Sequence, residues 1–241
     1  MSGQAPEVPV TPVNQSVERA ARMLGLFSVD EPELTLSELT SRMGLTKATG
    51  HRYATALRRA GLLRASNGLY SLGPRVVEPA AAALAGLGVI RVAEPYMLRL
   101  VTATGQTTVL SVWDGEAPVV VRVAENHERL VRIVVAAGSR LPADSAQGKV
   151  FRAFLSETNG DPDLAAIRRD SLAANAVVVD GVTALAAPVF QGEDVVATLA
   201  LVGTSATIDT EPESAMAAAL REAASGLSTE LGFVQTREEI R

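Results

Sequence analysis

Cysteine is absent from this 241-residue chain, and histidine occurs only at His51 and His127. A disulfide frame, a thiolate metal site and a cysteine nucleophile are excluded on that ground, and so is a histidine-rich metal cluster. No apolar run approaches the roughly 20 residues that a membrane span needs. The opening stretch, Met1 to Asn14, has neither the basic region nor the apolar core of a signal peptide. These absences predict a soluble, cytoplasmic protein with no membrane partner and no cofactor. Residues 1–14 are expected to be a disordered tail.

A narrower absence is more informative. Leu39 to Val77 is a run of 39 residues without Asp or Glu, yet it holds Arg42, Lys47, Arg52, Arg58, Arg59, Arg64 and Arg75. The rest of the chain holds the other 15 cations and all 27 acids, so it sums to −12 while the window sums to +7. A basic island in an acidic protein is the electrostatic footprint of a polyanion site.

Within residues 15–77 the local signals spell a winged helix-turn-helix. Ser16 is the expected cap of a first helix, with Val17, Ala20, Ala21, Leu24 and Phe27 on one stripe. Thr35 and Glu38 form a capping box that opens a second helix, which Gly44 ends. Thr46 caps a third helix running to Ala60, in the place of a recognition helix. Ala48, Tyr53, Ala54 and Leu57 would face inward. Lys47, Thr49, His51, Arg52 and Thr55 are then candidates for base edges, with Thr46 at the start of the helix. Arg58 and Arg59, a turn later, suit phosphates, and Arg19 on the first helix is a further candidate DNA contact. Asn67-Gly68 between two alternating runs is a hairpin signal, and Arg64 and Asn67 on that wing could reach DNA. Gly50 inside the third helix costs about 1 kcal/mol relative to Ala. Either packing supports that helix there, or Gly50 lets the backbone approach DNA.

Residues 78–94 are expected to form an alanine-rich linker helix, interrupted near Gly86-Leu87-Gly88 and serving dimerisation or plain domain packing, with Pro95 to Thr104 as a separate helix. Residues 95–241 then alternate six strand-like runs with helices: Thr107 to Trp113, Val119 to Ala124, Leu130 to Ala136, Ala176 to Val179, Val182 to Val189 and Val195 to Val202. That is an α+β layout. Ser145 can cap a helix through Leu155, whose first amides at Ser145, Ala146 and Gln147 could hold a ligand's carboxylate. Gly148-Lys149 is not a P-loop, because position 143 is Ala where the motif needs Gly and Val150 follows the lysine.

Six blocks carry a resemblance: Ser16 to Ala20, Leu36 to Leu39, Gly44 to Arg52, Tyr70 to Gly73, Ser145 to Lys149 and Ala184 to Phe190. In that order they resemble the IclR family of transcriptional regulators over nearly all of the chain after the tail. The resemblance implies a C-terminal GAF-like antiparallel sheet flanked by helices that binds a small organic effector. It also implies homodimers or dimers of dimers, and a double-stranded, palindromic operator near catabolic genes. Members that bind small acids offer hydroxyls where this chain has Ala184, Ala200 and Val202. That substitution predicts an apolar pocket for an aromatic or alkyl ligand, either an aromatic acid or a neutral amide or hydrazide. Trp113 could stack on the ligand or belong to the core. Gly148 could shape the site or serve packing. An enzyme would need convergent acid–base or nucleophilic groups, and no such set is evident. A winged helix with an RNA or protein partner is the remaining alternative.

Overall fold

The computed structural model describes residues 14–126, 133–155, 160–175 and 181–232. The chain divides into two units between Ala80 and Ala81.

In the first unit, α1 (Gln15–Leu24) is capped by Asn14, whose side chain accepts from the Ser16 amide at 3.1 Å. The cap thus falls two residues before the expected Ser16. The buried stripe is also rotated: Met23 and Phe27 are buried with Ala20 and Leu24 against them, while Val17 is 65% exposed. Met23 completes the helical spacing from Ala20 to Phe27 and displaces Val17 and Ala21 from the inner face.

The next pieces follow their local signals. β1 (Leu34–Thr35) leads into α2 (Leu36–Arg42) through the capping box, with Glu38 N donating to Thr35 Oγ1 at 3.2 Å and Thr35 N to Glu38 Oε2 at 2.7 Å. Thr46 caps α3 (Lys47–Arg59) by accepting from the Thr49 amide. The hairpin β2 (Leu63–Ser66) and β3 (Leu69–Leu72) turns at Asn67 (φ 52°) and Gly68 (φ 80°), the positive pair that a tight hairpin turn demands. β1 adds to its other edge, in the order β1-β3-β2. Met23, Leu34, Leu39, Met43, Ala54, Leu57, Leu63 and Tyr70 join the three helices to this sheet.

After a short 3-10 turn at Pro74–Val76 comes α4 (Val77–Gly86), then α5 (Gly88–Thr104), which ends on Gly105. The linker helix breaks at Leu87, within the expected Gly86-Leu87-Gly88 interruption, but Pro95 lies inside α5 rather than starting a helix. Pro95 is on the solvent side, where the carbonyl that loses its helical donor can bond to water.

In the second unit the strands are β4 (Thr107–Trp113), β5 (Pro118–Ala124), β6 (Ala173–Asn175), β7 (Val182–Gln191) and β8 (Asp194–Thr204). They form one antiparallel sheet in the order β5-β4-β8-β7-β6. Among the described residues there are five strands here, not six. Ile133 to Ala136, expected to end a strand, lie outside any strand. The rest of that run, the run from Ala176 to Val179 and His127 lie outside the described residues. Alternation along each strand gives the sheet two packed faces. α5 and α8 (Ala215–Glu230) cover one, over Leu110, Leu185, Leu199 and Leu201. α6 (Ala146–Leu155) and α7 (Pro162–Asp170) cover the other, over Ala186 and Ala200. No single helix among the described residues is long and apolar enough to cross a membrane.

Candidate functional site

The first unit builds one exposed basic face from α3 and the wing. Gly50, Ala54 and Leu57 of α3 are buried, and that stripe turns Lys47, His51, Arg52, Arg58 and Arg59 to solvent with Thr49 and Thr55 half-buried. Ala48, expected inside, is exposed too. Its position falls on the stripe with His51, Arg52 and Thr55, because Gly50 rather than Ala48 makes the inner contact. Among the described residues, Lys47, Arg52, Arg58 and Arg59 form no ion pair.

Two sequence candidates are partly engaged within the fold. Thr46 spends its hydroxyl on the cap and on Thr49 Oγ1, 3.0 Å away. Arg64 donates from Nε to Ser71 Oγ at 2.8 Å across the wing. Together with Arg58, Arg59 and Thr55, Arg64 lines an open groove of about 450 Å³ between α3 and β2. Asn67 is exposed at the wing tip. Arg42 leaves the basic face: it grips Glu31 with both terminal nitrogens, at 2.7 and 2.8 Å. Hydrogen bonding to Arg42 in turn holds the Glu31 carboxyl below its usual pKa. Arg75, in the turn after the wing, donates to Ala60 O, so five of the window's seven cations lie on α3 and the wing. Arg19 sits by Tyr53, whose hydroxyl is held below its ordinary pKa chiefly by a hydrogen bond with Ser16 and also by Arg19.

In the second unit, Ser145 is the cap of α6, accepting from Gly148 N at 3.2 Å. Ala146, Gln147 and Gly148 are all buried, whereas Asp144 is exposed. A Cβ on Gly148 would overlap the Ala143 backbone, with Ala143 C only 2.6 Å away. Gly148 thus lets the turn before α6 close against the helix. Opposite α6 lie Ala184 paired with Val202, and Ala200 paired with Ala186. Trp113 is half-buried with its ring 5.3 Å from that of Phe151 on α6, so it already has an aromatic partner.

This face is nevertheless not wholly apolar. Ser111 and Thr198, directly paired across β4 and β8, are fully buried. By alternation they share the face of Trp113 and Ala200, and neither hydroxyl has a hydrogen-bond partner. Neither is among the candidates that the sequence offers on the sheet, which are Trp113, Ala184, Ala200 and Val202. The available signal was parity, since Thr198 stands two residues before Ala200. No group of acidic or histidine side chains suited to a metal occurs among the described residues.

Comparison with known proteins agrees in both units. Residues 16–66 match the IclR helix-turn-helix domain model, and residues 81–178 match the bacterial transcriptional regulator IclR C-terminal model. The HTH-type transcriptional regulator XynR of Escherichia coli is 30% identical over 251 residues, spanning 92% of this chain and 99% of that one. A crystal structure of an IclR transcriptional regulator from Silicibacter sp. shares the fold with a TM-score of 0.79 at 24% identity, over 94% of this chain and 100% of that one. An IclR homologue from Microbacterium hydrocarbonoxydans, solved in complex with 4-hydroxybenzoate, has a TM-score of 0.66 at 25% identity, over 90% and 99% of the two chains. These relatives are named as regulators and not as enzymes, and this chain belongs to the IclR family of transcriptional regulators.

Proposed function

We propose that the chain is a cytoplasmic repressor of catabolic genes whose grip on DNA is released or reset by a small organic effector with an aromatic body. The observation that carries the DNA half is the exposed stripe Lys47, His51, Arg52, Arg58 and Arg59 beside a basic wing. In this reading Lys47, Thr49, His51, Arg52 and Thr55 meet base edges from the N-terminal half of α3. Arg58, Arg59 and Arg64 hold phosphates, which fix register and make affinity salt-dependent. Arg19, Thr46 and Asn67 complete the DNA-facing set at its margins.

The working form is a homodimer or a dimer of dimers on a palindromic operator. Support comes from α4, all of whose residues are exposed although nearly all are apolar, with Val77 at 68% and Leu84 at 46%. An apolar helix left fully in water favours self-association. The effector lies between α6 and the sheet, near Ser145, Ala146, Gln147 and Gly148 on one side and Trp113, Ala184, Ala200 and Val202 on the other. Binding there acts by favouring one spacing of the two α3 helices over another, which requires different affinities for the two arrangements. The 4-hydroxybenzoate bound by the Microbacterium homologue supports an aromatic ligand class.

Sequencing the genomic DNA recovered with the full-length protein tests this reading. Sites with inverted half-sites a helical turn apart, beside genes for the breakdown of organic compounds, are the expected result. Recovery without sequence preference would refute it.

A further inference from the structure

We propose that Ser111 and Thr198 form the polar end of the effector site and receive an uncharged oxygen substituent, a phenol hydroxyl or a ketone, of an otherwise apolar ligand. This rests on the effector reading above and adds the group that the ligand must carry.

A buried hydroxyl without a partner is costly, whereas replacing it by an apolar group of like shape is close to neutral. Chains therefore rarely keep one in a core without a use for it. Here two occur at directly opposed positions, Ser111 and Thr198, both at 0% exposure. Neither flank of that row can satisfy them. Thr198 faces Pro188 on β7, and Ser111 faces Val120 on β5; neither neighbour has a polar side chain. The row on one side holds Val109, Ala200 and Ala186, and on the other side Trp113 is the next residue of β4 on this face. Thr108 is a third buried hydroxyl without a partner, but it lies on the opposite face with no second one across from it.

The register supplies an independent sign. The pairing of β4 with β5 shifts between Leu110 and Ser111, and such bulges recur beside binding sites, where they re-aim a side chain. The ligand group must be uncharged, because two neutral hydroxyls among Val and Ala do not compensate a buried carboxylate. They do suit a hydroxyl or a carbonyl, since each can donate and accept. A carboxylate or amide on the same ligand belongs at the first amides of α6.

Calorimetry on the full-length protein with benzoate, benzamide and their monohydroxylated derivatives tests this, using wild type, Ser111→Ala and Thr198→Val. The expected result is that wild type prefers at least one hydroxylated probe over its parent by about tenfold per hydrogen bond gained. Each variant should lose that preference while binding the parent compound as before, and melting of the free variants should be unchanged or raised. Parent and hydroxylated probes binding equally in all three proteins would leave an aromatic effector standing and overturn the hydroxyl assignment. A fall in melting temperature with the preference intact would also overturn it, marking the pair as a seat for a structural water. Heat from none of the probes would overturn both the assignment and the aromatic reading.

Discussion

Gly50 of α3 lies against Thr40 of α2 so closely that a Cβ on the glycine would overlap Cγ2 of Thr40, with Thr40 Cβ itself 3.4 Å away. The glycine is buried, so its lack of a side chain serves the approach of the two helices of the helix-turn-helix and not an approach to DNA. Gly50→Ala should gain about 1 kcal/mol of helix propensity and lose more to overpacking, typically ~1–3 kcal/mol. Thr40→Ser removes the methyl group and keeps the hydroxyl that donates to Ser37 O at 3.0 Å. Denaturant unfolding should show Gly50→Ala destabilised and the double variant restored by at least half of the loss. Additive effects in that cycle would mean that the clash is not the cause.

Arg58 and Arg59 should act on DNA by charge alone. Each change to Gln is expected to weaken binding uniformly across operator variants and to flatten the slope of log affinity against log salt by about 0.9 for each phosphate no longer neutralised. Arg52→Ala should instead alter the preferred base at one operator position while leaving the rest of the site preference intact. Gel shifts on an operator library at several salt concentrations separate these outcomes. A change in base preference from Arg58→Gln would remove it from the phosphate role.

The parts of this structure that were readable in advance are those whose cause is local. The capping box of Thr35 and Glu38, the Thr46 cap and the Asn67-Gly68 turn each involve residues at most three apart, and each forms as its sequence signal specifies. What could not be read depends on partners distant in the chain. The inner stripe of α1 turns on which of Val17 and Met23 enters the core of the first unit. The loss of Arg42 from the basic face depends on Glu31, eleven residues upstream. Pairing of Ser111 with Thr198 is a matter of register across two strands, and a bulge sits beside it. Pro95 lies inside α5 on its exposed side, where water can bond to the carbonyl that loses its helical donor.

Acid should weaken the hinge of the β4–β5 hairpin. Burial alone would raise the Asp114 pKa, but the Arg140 guanidinium at 2.8 Å and the amides of Ala117 and Glu116 outweigh it, so the carboxyl titrates below its ordinary value. A folded value below the unfolded one means that the stabilisation is present above the unfolded pKa of about 3.9 and is lost as pH falls through the folded value. Asp114→Asn should thus be less stable than wild type at neutral pH and lose less on acidification below about pH 4. Parallel stability–pH curves for the two proteins would show that Asp114 contributes nothing in that range.

Gly148 provides the clearest separation of sensing from DNA binding. A side chain there must displace the Ala143 backbone, which is not the yielding end of a flexible residue. Gly148→Ala should therefore shift the Pro142–Ser145 turn and the first amides of α6, where the carboxylate or amide end of an effector would sit. The first unit has its own core and its own capped helices. Operator affinity should remain within about threefold of wild type, while release by an effector that works on wild type should weaken by at least tenfold, or about 1.4 kcal/mol of coupling. Fluorescence anisotropy of labelled operator, titrated first with protein and then with effector, measures both in one experiment. Equal loss of operator affinity and effector response would show that the substitution unfolds the chain instead of blinding its sensor.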